Sequence, residues 1–175
     1  MNQSPKKRPL SRPGPRTRAA AALVLRLGAG NFLLMAALTG VFLGYAHPAS
    51  WMERLFLLLA WISTATQLTL IPGLVSLLLV LALPKKKVLA WAAPPLFWLA
   101  FCLAGVDLAI FRIFKFHING LVLNVLTTPG AGDSLTLGFW TYLTAVSIAL
   151  GALVLEFLLG RWAARRMDAP PARGR

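Results

Sequence analysis

Residues 106–138, VDLAIFRIFKFHINGLVLNVLTTPGAGDSLTLG, decide how the rest of the chain is arranged. They hold two of the five acidic residues (Asp107 and Asp133), one of the two histidines (His117) and a tight Pro129-Gly130 break. Long apolar runs flank them on both sides. The stretch therefore reads as an excursion out of an apolar phase, with three crossings delivering the chain to it and one taking it away.

Composition supports that frame. Hydrophobic residues make up 58% of the 175 and charged residues 13%, with a mean hydropathy of +0.70. A water-soluble domain of this size cannot hide so much apolar surface, so the solvent is lipid. The net charge of +13 would suggest nucleic acid if the basic residues formed an aromatic-interleaved patch. They cluster instead at the ends of apolar runs, which points to anionic lipid headgroups as partners and away from nucleic acid. The single cysteine, Cys102, lies inside an apolar run and excludes both a disulfide framework and a thiolate metal site.

Residues 1–18 are rich in Pro, Lys and Arg and are expected to form a disordered tail. The apolar run behind them is too long for a cleavable signal peptide. It spans about residues 19–46, enough to cross a bilayer core of about 30 Å, with Arg26 within snorkelling reach of the surface. A second span covers 55–83, where Pro72-Gly73 predicts a kink. The third runs from 88 to 111. Its Pro94-Pro95 pair either bends the helix or marks where regular helix begins. The fourth covers 137–160, and residues 167–175 form a second tail. The expected fold is all-α: four transmembrane helices within 19–166, plus a short helix in the 112–136 loop.

The distribution of Lys and Arg orients the bundle. With both termini cytoplasmic, fifteen basic residues lie inside, and Arg54, Arg112 and Lys115 are the three outside. That bias is the one expected of four spans with both termini inside.

Few polar residues are placed to carry chemistry. Asn31, Gln67, Asp107 and Glu156 are expected to make polar packing contacts within the membrane, Gln67 facing other protein rather than lipid. Asp107 lies 20 residues past Lys87, about 30 Å along a helix. It would pair with another span's polar group or with loop backbone N–H groups, or handle a headgroup or ion. Glu156, five residues before Arg161, would bridge to Arg26 or to Lys85–Lys87. Arg112, Lys115 and His117 alternate with Phe111, Phe114 and Phe116, a mixture that suits the headgroup layer. Asn119 resembles an N-cap for a helix over 120–127 that would carry Leu121, Val122, Val125 and Leu126 on one face. That helix either lies in the outer interface or belongs to an ordinary loop packed on the bundle. Asp133 or Ser134 would cap the fourth span. Neither histidine has a second histidine or carboxylate pair at ligand spacing, and no phosphate-cradling glycine loop or nucleophile elbow is present. No catalytic residue, metal or cofactor is expected.

The run VDLAIFRIFKFHINGLVLNVL, its TPG turn and the FWTYL opening of the fourth span resemble a known family. They are similar to the N-terminal membrane region of bacterial inner-membrane sulfatase-like proteins of the YejM/PbgA type, and more distantly to lipoteichoic-acid synthases. The specific part is Asp107, Phe111, Phe114, Phe116, His117 and Asn119. The resemblance implies a membrane region attached to a periplasmic alkaline-phosphatase-superfamily domain through a fifth span. Four spans are legible here, without the metal-binding Asp/His set or the Thr or Ser nucleophile. The expectation is a non-catalytic anchoring or regulatory domain of the cell envelope that contacts lipid. The alternatives are a stand-alone membrane protein that binds a membrane or cytoplasmic protein, and a small proton-coupled transporter using Asp107 and Glu156.

Overall fold

The computed structural model describes residues 14–129 and 138–165. It contains α1 (Pro15–Gly40) with a 3-10 extension (Val41–Tyr45), α2 (Trp51–Ala82), α3 (Lys86–Phe114), the short α4 (Gly120–Thr127) and α5 (Phe139–Arg165), and no strand among the described residues. All but α4 are long and apolar enough to cross a membrane. Helix α1 begins at Pro15, four residues inside the stretch expected to be tail. Proline is favoured at the first helical position, where its fixed φ fits and its missing N–H is not needed. Residues 1–13, Asp133, Ser134 and 166–175 lie outside the described residues.

Local signals explain the boundaries. Ser50 caps α2, its Oγ accepting from the Glu53 N–H at 3.3 Å, while Glu53 reaches back to accept from Ala49 N–H at 2.7 Å. This is a capping-box arrangement, and it opens the helix four residues before the expected start. Helix α2 runs unbroken through Pro72. Helix α3 begins at Lys86 and continues through Pro94 and Pro95, so the proline pair does not mark its start. It ends where Lys115 adopts a left-handed conformation (φ 61) and its N–H bonds Phe111 O at 2.9 Å.

Three layers of buried side chains tie the helices together. At one level Ala20, Leu23 and Val24 of α1 meet Val80 of α2 and Leu89 of α3, with Ala164 of α5 alongside. In the middle Leu27, Ala93 and Phe97 pack with Leu159. At the third level Met35 meets Ala65 and Ala104. The start of α1, the end of α2, the start of α3 and the end of α5 therefore share one end of the bundle, the basic one. Helix α2 packs on α1 and α3, and α5 packs on α3 and α1. Residues 139–148, the first part of α5, are all exposed.

Lipid is as apolar as leucine, so the helices gain little hydrophobic drive by meeting and depend on close packing and hydrogen bonds. Phe97 is fully buried, and its ring tip reaches the backbones of two neighbours. A methyl group added at Gly28 of α1 or at Gly73 of α2 would stand 4.0 Å from Phe97 Cζ. Gly160 of α5 sits closer still to α3, where an added Cβ would lie 3.0 Å from Pro94 Cγ and 3.4 Å from Ala90 O. Two tryptophans stitch neighbouring helices together, Trp61 Nε1 donating to Ala36 O at 2.9 Å and Trp98 Nε1 to Ala149 O at 2.8 Å.

Candidate functional site

The end of the bundle opposite the basic one is built around Asp107. One carboxylate oxygen accepts from the Ile118 N–H at 2.6 Å, and the other lies 2.7 Å from His117 Nδ1. These bonds are possible because the left-handed Lys115 reverses the chain at the end of α3, folding residues 116–118 back over the last turns. Of the partners expected for Asp107, the structure supplies the loop N–H and adds an imidazole. The pairing of His117 with a carboxylate ten residues upstream is not visible in sequence spacing.

Aromatic rings hold the imidazole from its sides. His117 stacks on Phe111 (centroids 4.8 Å, interplanar angle 26°) and lies 5.0 Å from Phe42, which meets Phe111 edge-on at 5.1 Å. Tyr45 also meets Phe111 edge-on, and Lys115 Nζ lies 4.7 Å from the Tyr45 ring centroid. That distance is cation–π range. Phe42 and Tyr45 come from the 3-10 turn after α1, and sequence reading did not single them out. With Asp107 accepting at Nδ1, the imidazole edge bearing Nε2 is the one left to face outward, and the His117 side chain is 59% exposed. Arg112 is exposed in the last turn of α3, where a cation complements the helix C-terminus. Phe114 and Phe116 are exposed and stack on each other at 5.6 Å.

Asn119 carries the chain into α4. Its Oδ1 accepts from the N–H groups of Leu121 and Val122 at 3.0 and 3.2 Å, the geometry of an N-cap. Val122 is buried, whereas Leu121 and Leu123 are exposed. The side chains of Val125 and Leu126 lie outside the described residues.

The polar residues deeper in the bundle divide differently from expectation. Asn31 Nδ2 donates to Glu156 Oε2 at 2.9 Å and to Leu27 O at 3.2 Å, and both residues are fully buried. Asn31 Oδ1 has no hydrogen-bond partner among the described residues. Glu156 thus meets Asn31 rather than Arg26 or the basic turn. Asn31 belongs to the buried stripe of α1 that runs through Leu27 and Met35, and Arg26 falls on its exposed side. Gln67 does not face the other helices of its own chain. It is exposed, and its Nε2 bonds Ser63 Oγ of its own helix at 3.1 Å. Helix α2 buries Ala65, Thr69, Pro72, Ser76 and Val80, and residue 67 lies about 200° round from residue 65.

Among the described residues no group of three or more His, Cys, Asp or Glu side chains is placed to hold a metal ion. What the Asp107–His117 end offers is an oriented, exposed imidazole, with the exposed cations Arg112 and Lys115 and the exposed rings of Phe114 and Phe116 close to it in sequence, an arrangement suited to an anionic, partly apolar ligand.

A helical bundle of spanning length with a polar site at one end defines the class as a membrane domain. Residues 29–173 match the family described as a domain of unknown function, DUF3413, and the chain belongs to that family. No curated protein and no solved structure matches it.

Proposed function

We propose that this chain is a non-catalytic membrane domain of the bacterial cell envelope. It would anchor or regulate a sulfatase-like protein and contact anionic lipid headgroups through the Asp107–His117 end. The family match over residues 29–173 supports the resemblance to the membrane region of sulfatase-like proteins. The charge bias supports an inner-membrane orientation with both termini cytoplasmic and residues 112–136 outside.

The observation that carries the lipid reading is the fixing of His117. A carboxylate on one edge and Phe111 and Phe42 on its sides hold an exposed imidazole, and the exposed Arg112 and Lys115 lie two to five residues before it in the chain. Phosphate oxygens would meet Arg112 and Lys115, while Phe114, Phe116, Leu121 and Leu123 enter the acyl boundary. Juxtamembrane Lys and Arg each contribute about 1 kcal/mol of attraction to an anionic surface, less when salt screens them.

The test is native mass spectrometry of the intact chain titrated with a phosphatidylglycerol-type lipid and with its zwitterionic counterpart. The anionic lipid should bind more tightly. The Arg112→Gln/Lys115→Gln variant should lose that preference by about tenfold. Asp107→Ala, which frees the loop but keeps both cations, should weaken binding with less change in preference. Equal affinity for the two lipids, or a double variant that binds as the parent does, would remove the headgroup reading.

A further inference from the structure

Gln67 stands at the midpoint of the 32-residue α2, about 24 Å from either end, the deepest position a crossing helix has. It faces away from the bundle. Neighbouring polar groups on the same helix make no comparable demand, because Thr64 Oγ1 donates to Ala60 O at 2.9 Å and Thr66 Oγ1 to Ile62 O at 2.7 Å. Gln67 has only its bond to Ser63, which leaves one amide N–H and the amide oxygen without a partner among the described residues. Exposed to hydrocarbon, such a group is costly and normally finds protein.

The residues around it form a seam. Phe56, Ala60, Ser63, Gln67, Leu70 and Leu74 follow one another at spacings of 4, 3, 4, 3 and 4. All are exposed except the half-buried Ala60. That spacing is the repeat of a left-handed helix pair, in which small residues let backbones approach and one polar core residue fixes the register. An occupant must bring a hydrogen-bonding group to the depth of Gln67. A second copy inserted in the same orientation does so without further requirement, since its own Gln67 lies at that depth. A carboxamide carries both donor and acceptor, so two of them can exchange a pair of bonds across a two-fold axis.

We infer that α2 is a self-association surface, and that two copies of this chain pair along the Phe56–Leu74 seam through reciprocal Gln67 hydrogen bonds. The inference rests on the chain crossing a membrane and is independent of the lipid reading.

Cysteine crosslinking in native membranes tests it, with Cys102→Ser as background. Ser63→Cys, Leu70→Cys and Leu74→Cys should form disulfide-linked dimers at least fivefold more readily than Ile62→Cys and Val75→Cys, which are exposed but off the seam. Independently, sedimentation of the chain with Cys102 intact should show self-association weakened about tenfold by Gln67→Leu. At detergent dilutions where the chain is monomeric, Gln67→Leu should leave thermal stability unchanged, because within one copy the side chain bonds only its own helix. Crosslinks of equal yield on and off the seam, crosslinks only to a protein of another mass, or a Gln67→Leu chain that associates as the parent does would each overturn the inference.

Discussion

Replacing Phe97 by alanine should cost the bundle about 2–3 kcal/mol, read as a fall in the unfolding free energy in mixed micelles. In a water-soluble core the same truncation costs about 3–5 kcal/mol, part of it the transfer of the ring to water. Here the unfolded helices keep that ring in lipid or detergent, and the transfer part vanishes. What remains is the cavity where α3 meets α1 and α2, against Gly28, Gly73, Leu27 and Ala93. Neither glycine has a side chain to move into the space, so relaxation recovers little. Phe97→Leu should lose less than half as much. A Phe97→Ala protein as stable as the parent would mean that the three helices are not held at this layer.

Asn31→Leu should be the next most damaging change, at about 2 kcal/mol. It removes the one donor that the described structure gives the buried Glu156 carboxyl, and an orphaned buried acidic group costs more than the lost bond itself. Glu156→Leu should cost clearly less, because Asn31 keeps its bond to Leu27 O. The Asn31→Leu/Glu156→Leu double variant should return to within about 1 kcal/mol of the parent, since two apolar groups replace a polar pair. A double-mutant cycle in the same micelle assay reads all three. Strictly additive losses would show that the two side chains do not meet.

These two residues also show where sequence reading stops. Four crossings were legible because an apolar run of spanning length between basic clusters has few other meanings. The Asn119 cap was legible because an Asn ahead of a short apolar run has a local chemistry. The Ser50–Glu53 cap was written as plainly and was overlooked. Facing was not legible. Ser63, Thr64, Thr66, Gln67 and Thr69 spread polar groups right round the middle of helix α2, so its periodicity does not separate the stripe through Ala65 and Thr69 from the side bearing Gln67. Glu156 was matched to the nearest cations along the chain. Its partner, 125 residues away, depends on α5 lying beside α1 at that depth, which no local signal encodes. The Asp107–His117 contact needs a left-handed residue at 115, a position where glycine, not lysine, would have announced the turn. Phe42 and Tyr45 reach the site only because the 3-10 turn after α1 ends beside the last turns of α3.

Labelling with a membrane-impermeant thiol reagent tests most directly the claim that the aromatic, histidine-bearing end and the basic end face opposite sides of a membrane. In spheroplasts expressing the Cys102→Ser chain, Leu121→Cys should react without permeabilisation. Arg18→Cys should react only after the membrane is opened. Leu121→Cys protected until permeabilisation, or both positions reactive from the same side, would contradict the account.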